Sequence, residues 1–173
     1  MSSMTNAFET AAGLLFFQNI DIANVGDAAG LQNSVAAGST QLNLTTSALT
    51  DADTSLLTTE VAYTGYARPT QARSAAGWAS SGDTISNAAL IQFGEMTAGG
   101  PDTVVHLGLG FLSTGNQLDL HQDLAADLVI NNGVNPQLAI GALDWVFAAI
   151  ASCAIGIGSF SHFAPVVQST LMV

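Results

Sequence analysis

The chain has 173 residues, 13 acidic side chains against two arginines and no lysine, and a formal net charge of −11. Backbone-directed nucleic-acid binding and electrostatic docking to an anionic membrane both need clustered cations, so this balance excludes them. With 49% hydrophobic and only 9% charged residues, the chain is too apolar for disorder, and its length fits one domain. A surface so poor in charge suits a subunit packed against other subunits.

The opening reads as a helix over Ala7–Phe17, capped by Thr5 or Asn6, with Glu9 in the first turn where a carboxylate suits the helix dipole. Phe8, Ala11, Ala12 and Leu15 are spaced to form its apolar face. Ile20, Ile22 and Val25 suggest an extended segment, and Gly26 and Gly30 bracket an Asp-Ala-Ala turn. From Gln41 the period becomes two: Leu42 and Leu44 alternate with Asn43 and Thr45, as in a half-buried strand. Residues 46–59 read as an acidic loop, and Val61, Tyr63 and Ala67 fall in an extended run ending at Pro69.

Short strands punctuated by turns follow. Trp78–Ser80 and Thr84–Ser86 flank the hairpin signal Ser81-Gly82-Asp83, and Ala89–Phe93 is a further strand. Gly99-Gly100-Pro101-Asp102 turns the chain into a buried strand over Val104–Leu112. Ser113–Asn116 turns again into Gln117–Leu124, and Asn131-Asn132-Gly133 reads as a hairpin turn between Asp127–Ile130 and Gln137–Leu143. Strands at this spacing, without βαβ alternation, predict a mainly β fold. The expected form is an antiparallel β-sandwich, jelly-roll or Ig-like, with a short N-terminal helix and an apolar C-terminal extension. The expected organisation is a helix and extended arm over 1–40, the sandwich over 41–143, and an apolar strand or arm over 144–173 that packs on the domain or on a neighbouring subunit.

Trp145–Phe160 is the stretch closest to a membrane span, but it is short for one and is interrupted by Gly156 and Gly158. The N-terminus shows no basic region or cleavage site of a secretory signal. Cys153, the lone cysteine, reads as a small buried apolar residue.

The residues offer little chemistry. Gly156–Ser161 has the wrong spacing for a nucleophile elbow, and Gly108-Leu109-Gly110 lacks the third glycine of a dinucleotide loop. Asp51, Asp53 and Glu60 lie near one another, in a chain poor in the aromatics that line a sugar cleft. In a strand, Asp119, His121 and Asp123 would share one face. That could hold an oxygen-preferring divalent cation, but a solvated polar face is the simpler reading. His106 reads as a hydrogen-bonded core histidine, and Arg68 and Arg73 as members of structural ion pairs. No catalytic, cofactor-binding or metal residue is assigned.

The stretch Glu60–Trp78 reads EVAYTGYARPTQARSAAGW. It resembles a family of small virion proteins of tailed phages, commonly labelled tail-fibre or head-decoration proteins. These read E-V-x-Y-x-G-Y-A-R, then a second Arg, then G-W, matched here by Glu60, Val61, Tyr63, Gly65, Tyr66, Ala67, Arg68, Arg73, Gly77 and Trp78. The likeness continues through Ser86-Asn87-Ala88, Ile91-Gln92-Phe93, Gly99-Gly100, Val104–Gly108 and Asn132-Gly133, and covers roughly Thr5 to Leu143. It departs after Leu44, where Thr45–Leu49 replaces a His-Thr-Ala-Asp-Pro turn, and over 144–173, which has no counterpart. The resemblance implies a non-enzymatic virion component without cofactor. The expected role is a capsid decoration or cement protein on the head exterior that binds the major capsid protein and other copies of itself; a tail-fibre or tail-associated role in host contact is the alternative.

Overall fold

The structure is a computed structural model that describes residues 4–147 and the backbone of 171–172. Cys153, His162, most of the Trp145–Phe160 run and most of the predicted arm lie outside the described residues.

The helix α1 spans Asn6–Gln18, and the Thr5 hydroxyl accepts from the Phe8 N–H at its start. Its buried face differs from the expected one. Glu9, Gly13, Leu15 and Phe17 turn inward, while Phe8 is exposed. Gly13 sets this rotation, because a Cβ there would meet the Ile85 side chain at 3.0 Å. Asn19 closes the helix in the left-handed conformation at φ 59°, as asparagine can.

Among the described residues ten strands follow: β1 (Ser39–Thr45), β2 (Thr70–Ala72), β3 (Trp78–Ser81), β4 (Thr84–Asn87), β5 (Ile91–Gln92), β6 (Asp102–Gly110), β7 (Leu120–Ile130), β8 (Gln137–Leu138), β9 (Asp144–Val146) and β10 (Leu171–Met172). The fold is mainly β, and every strand pairing is antiparallel. A four-stranded sheet has the order β2-β1-β6-β7, and two three-stranded sheets have the orders β3-β4-β9 and β10-β8-β5. Leu42, Leu44, Leu107 and Leu109 of the large sheet share one core with Trp78, Ile85, Ile91, Leu138 and Trp145 of the small ones. Phe17 brings α1 into that core, edge-on to Trp78 with ring centroids 4.7 Å apart.

The β3–β4 turn is Gly82-Asp83, with Gly82 at φ 65°, the positive value a two-residue hairpin turn asks of its first position. Three expectations are corrected. Residues 61–67 are not a strand: only isolated bridges form, at Glu60 and Thr64, because the Tyr66 N–H turns back onto the Tyr63 carbonyl and Gly65 adopts φ 99°. The Asn131–Gly133 turn forms, but its flanks do not pair with each other. The Gly133 N–H donates to the Met96 carbonyl, and β8 pairs with β5, which seats Leu138 opposite Ile91 in the core. Finally, β1 is buried on both faces. Residues 46–59 fold back over its second face, where Leu49, Leu56 and Leu118 form a small separate apolar cluster.

Candidate functional site

The Glu60–Trp78 motif is built inward. The Arg68 guanidinium grips Glu60 with both ends, Nε to Oε1 at 2.5 Å and Nη2 to Oε2 at 2.6 Å. Tyr66 donates its hydroxyl to the same carboxylate at 2.8 Å and accepts from the Leu44 N–H of β1. Arg68 Nη1 donates to Asn116 Oδ1 at 3.0 Å, and at longer range to the Gly115 carbonyl and Gln41 Oε1, tying the β6–β7 connection to the node. Burial pushes the Tyr66 phenol far above its ordinary range, and the Glu60 carboxylate adds to the shift. Its hydroxyl therefore stays a donor. The Tyr63 hydroxyl donates to the Gly94 carbonyl, and Gly65 and Gly94 cross so closely that a Cβ on Gly94 would sit 1.8 Å from the Gly65 oxygen.

Arg73 departs from the ion-pair expectation. Its guanidinium donates to the carbonyls of Phe16 (2.7 Å), Leu15 (2.9 Å) and Ala37 (3.1 Å). The first two belong to the last turn of α1, which has no basic residue of its own. Arg73 thus supplies the cation favoured at a helix C-terminus, from a distant part of the chain. Trp78 closes the motif in the core and accepts from Gln18 Nε2 at its carbonyl.

The expected trio disperses, with Asp119 just before β7 and His121 and Asp123 on it. Asp119 caps the Phe111 N–H at 2.7 Å and accepts from Gln117. His121 Nε2 lies 3.4 Å from Asp51 Oδ1, and Asp123 pairs with His106 Nε2 across the β6–β7 ladder. Among the described residues, no three His, Cys, Asp or Glu side chains are grouped to hold a metal ion. His106 and His121 converge on each other, with ring centroids 6.2 Å apart. Asp53 joins this neighbourhood, held below the usual carboxylate range first by the Thr50 backbone N–H.

The apolar surface is of another kind. Phe16, Phe111, Leu120 and Phe147 line a groove beside the α1 C-terminus, with Phe16 and Phe111 stacked at 5.4 Å. Phe8, Ile20, Val25, Leu31, Val35 and Leu112 are exposed. The segment after α1 is ordered by its own polar side chains: Asn19 exchanges hydrogen bonds with Ser34, and Asp27 accepts from Ala29 and Gly30. Among the described residues, no helix is long and apolar enough to cross a membrane.

Residues 23–146 match the family model described as Podophage GP4 fiber I protein gp80. The chain belongs to this gp80 family. It is therefore a structural component of a phage particle, the conclusion to which the Glu60–Trp78 resemblance had pointed. The match begins after α1 and takes in β1 through β9, leaving out Phe17 and β10. No curated protein matches the chain.

The gp80 match also encloses a residue whose role was not legible in sequence. Asn87 donates Nδ2 to the carbonyls of Ala89 and Ala139 and accepts the Leu143 N–H at Oδ1. One buried amide thereby clamps the end of β4 to the strandless segment before β9. Its only sequence signal was its place in the Ser86-Asn87-Ala88 likeness.

Proposed function

We propose that the chain is a non-catalytic subunit of a fibre-type appendage on the exterior of the particle, packed against further copies of itself. The single observation that carries this reading is the gp80 fibre-family match over residues 23–146. The side chains support it in kind: Glu60, Arg68 and Arg73 are taken up by internal bonds, so the motif builds a scaffold. The groove at Phe16 and Phe111 and the exposed apolar residues of the N-terminal segment are the surfaces offered for subunit contacts.

A capsid-decoration role on the major capsid lattice is the other reading, and most of the arm over 144–173 that could dock there lies outside the described residues. The family description favours the fibre. Immunogold labelling of intact particles, combined with quantitation against the major capsid protein, separates the two. Label at the tail or fibres with low copy number supports the fibre. Label over the head, with copy number comparable to the capsid protein, overturns it in favour of decoration.

A further inference from the structure

The β6–β7 pairing is the longest among the described residues, and it is broken once. Val104 pairs with Leu128, but the next pair is His106 with Asp123, so Leu124–Asp127 bulge out of register. His106 is the first side chain after the break, and Asp123 holds it from the opposite strand. The pair is lopsided: the His106 side chain is 9% exposed and that of Asp123 is 79% exposed.

The tautomer follows from the contact. A neutral imidazole bonded to a carboxylate through Nε2 carries its proton there, which leaves Nδ1 bare. His106 Nδ1 is buried and has no hydrogen-bond partner. A second proton would therefore create an imidazolium nine-tenths removed from water. Asp123 and the Val105 backbone favour that second proton, but burial outweighs them. Asp123 stands in solvent, where its attraction is screened. His121 on β7, a neighbouring ring, opposes a second cation; Asp51 and Asp53, from the loop over residues 46–59, face His121. On the β1 side, Thr45 pairs in register with His106 and is uncharged, and Glu60, bridged to Thr45, is occupied by Arg68.

We propose that His106 and Asp123 form an acid-sensitive pin at the break in the β6–β7 ladder, closed while the imidazole is neutral and released when it takes a second proton. Burial pushes the His106 imidazole below its ordinary value of 6.5; Asp123 pulls it up, His121 pushes it down and the Val105 backbone pulls it up. For a histidine shifted this way, the released state binds more protons as pH falls. The stability the pin contributes is complete above about pH 6.5 and is lost progressively below it. The outer face of the large sheet, where the 46–59 loop lies, would loosen in acid while the core stays folded.

Hydrogen exchange on the full chain, corrected for the intrinsic pH dependence of exchange, tests this at pH 7.5 and 5.0. Protection over 104–109 and 120–127 is expected to fall several-fold in acid, with β3 and β4 unchanged. His106→Gln should abolish that pH dependence and His121→Gln should leave it. Protection that is flat or rises in acid, or a pH dependence that follows His121, overturns the proposal. If His106→Gln does not fold, an NMR titration of the wild-type imidazoles decides. A His106 midpoint below 6.5 that coincides with the loss of protection supports the pin; a midpoint at or above 6.5 overturns it.

Discussion

Replacing Arg68 by alanine should be among the most damaging single changes that leave the apolar core intact. The substitution removes both hydrogen bonds to Glu60 and those to Asn116, Gly115 and Gln41, and leaves the Glu60 side chain, only 12% exposed, answered by the Tyr66 hydroxyl alone. Breaking a buried pair from one side costs about 3–5 kcal/mol. Because Arg68 is itself 16% exposed, the lower end, about 3 kcal/mol, is the appropriate figure. For a chain of this size that corresponds to a fall in Tm of roughly 6–12 °C. Thermal and urea unfolding followed by circular dichroism would measure it, alone and in a double-mutant cycle with Glu60→Gln, which keeps an acceptor for Tyr66. The cycle should return a coupling of more than about 1 kcal/mol, because residues sharing one network are not additive. A loss below about 1 kcal/mol for Arg68→Ala, or a coupling near zero, would place the pair with ordinary surface ion pairs and refute the scaffold reading.

Three further outcomes are expected. Arg73→Ala should cost about 2 kcal/mol through its charged bonds to the helix carbonyls, and hydrogen exchange should show α1 fraying from its C-terminus; lysine, lacking the planar fork, should restore only part. Gly65→Ala should fail to give a stable fold, since its Cβ would sit 2.1 Å from the Glu95 oxygen at φ 99°, whereas Gly133→Ala, at φ 85° with open space around it, should cost only about 1–2 kcal/mol. Comparable unfolding midpoints for the two would refute the assignment of Gly65 to a backbone crossing. Burial, with Asp102 adding to it, pushes the Tyr63 phenol up to about 12. The folded state therefore keeps a proton that the unfolded chain gives up near 10, so stability should decline as pH rises from 10 towards 12. Ultraviolet difference spectroscopy showing Tyr63 ionising near 10 in the folded protein would contradict this.

Local chemistry made part of this molecule legible in its sequence. The helix at Asn6–Gln18, the Gly82-Asp83 turn and the alternation in β1 depend on neighbours a few residues apart, so capping, turn residues and period marked them. The excess of acid over base set an expectation against nucleic acid without any structure, and the Glu60–Trp78 motif pointed to a phage virion protein, as the match over 23–146 shows. Tertiary structure decided what those residues do. Which side of β1 meets solvent depended on whether the 46–59 loop folds back, a matter of Leu49 and Leu56 finding Leu118 far along the chain. The partner of β8 was set by Leu138 reaching Ile91, against the local signal of the Asn131–Gly133 turn. Arg73 found helix carbonyls in place of a carboxylate because folding brought the end of α1 beside it, and Asp119, His121 and Asp123 separated because each met a different neighbour. Low charge and strand spacing alone predicted a β domain; the long-range contacts turned its one specific motif into the scaffold of that domain.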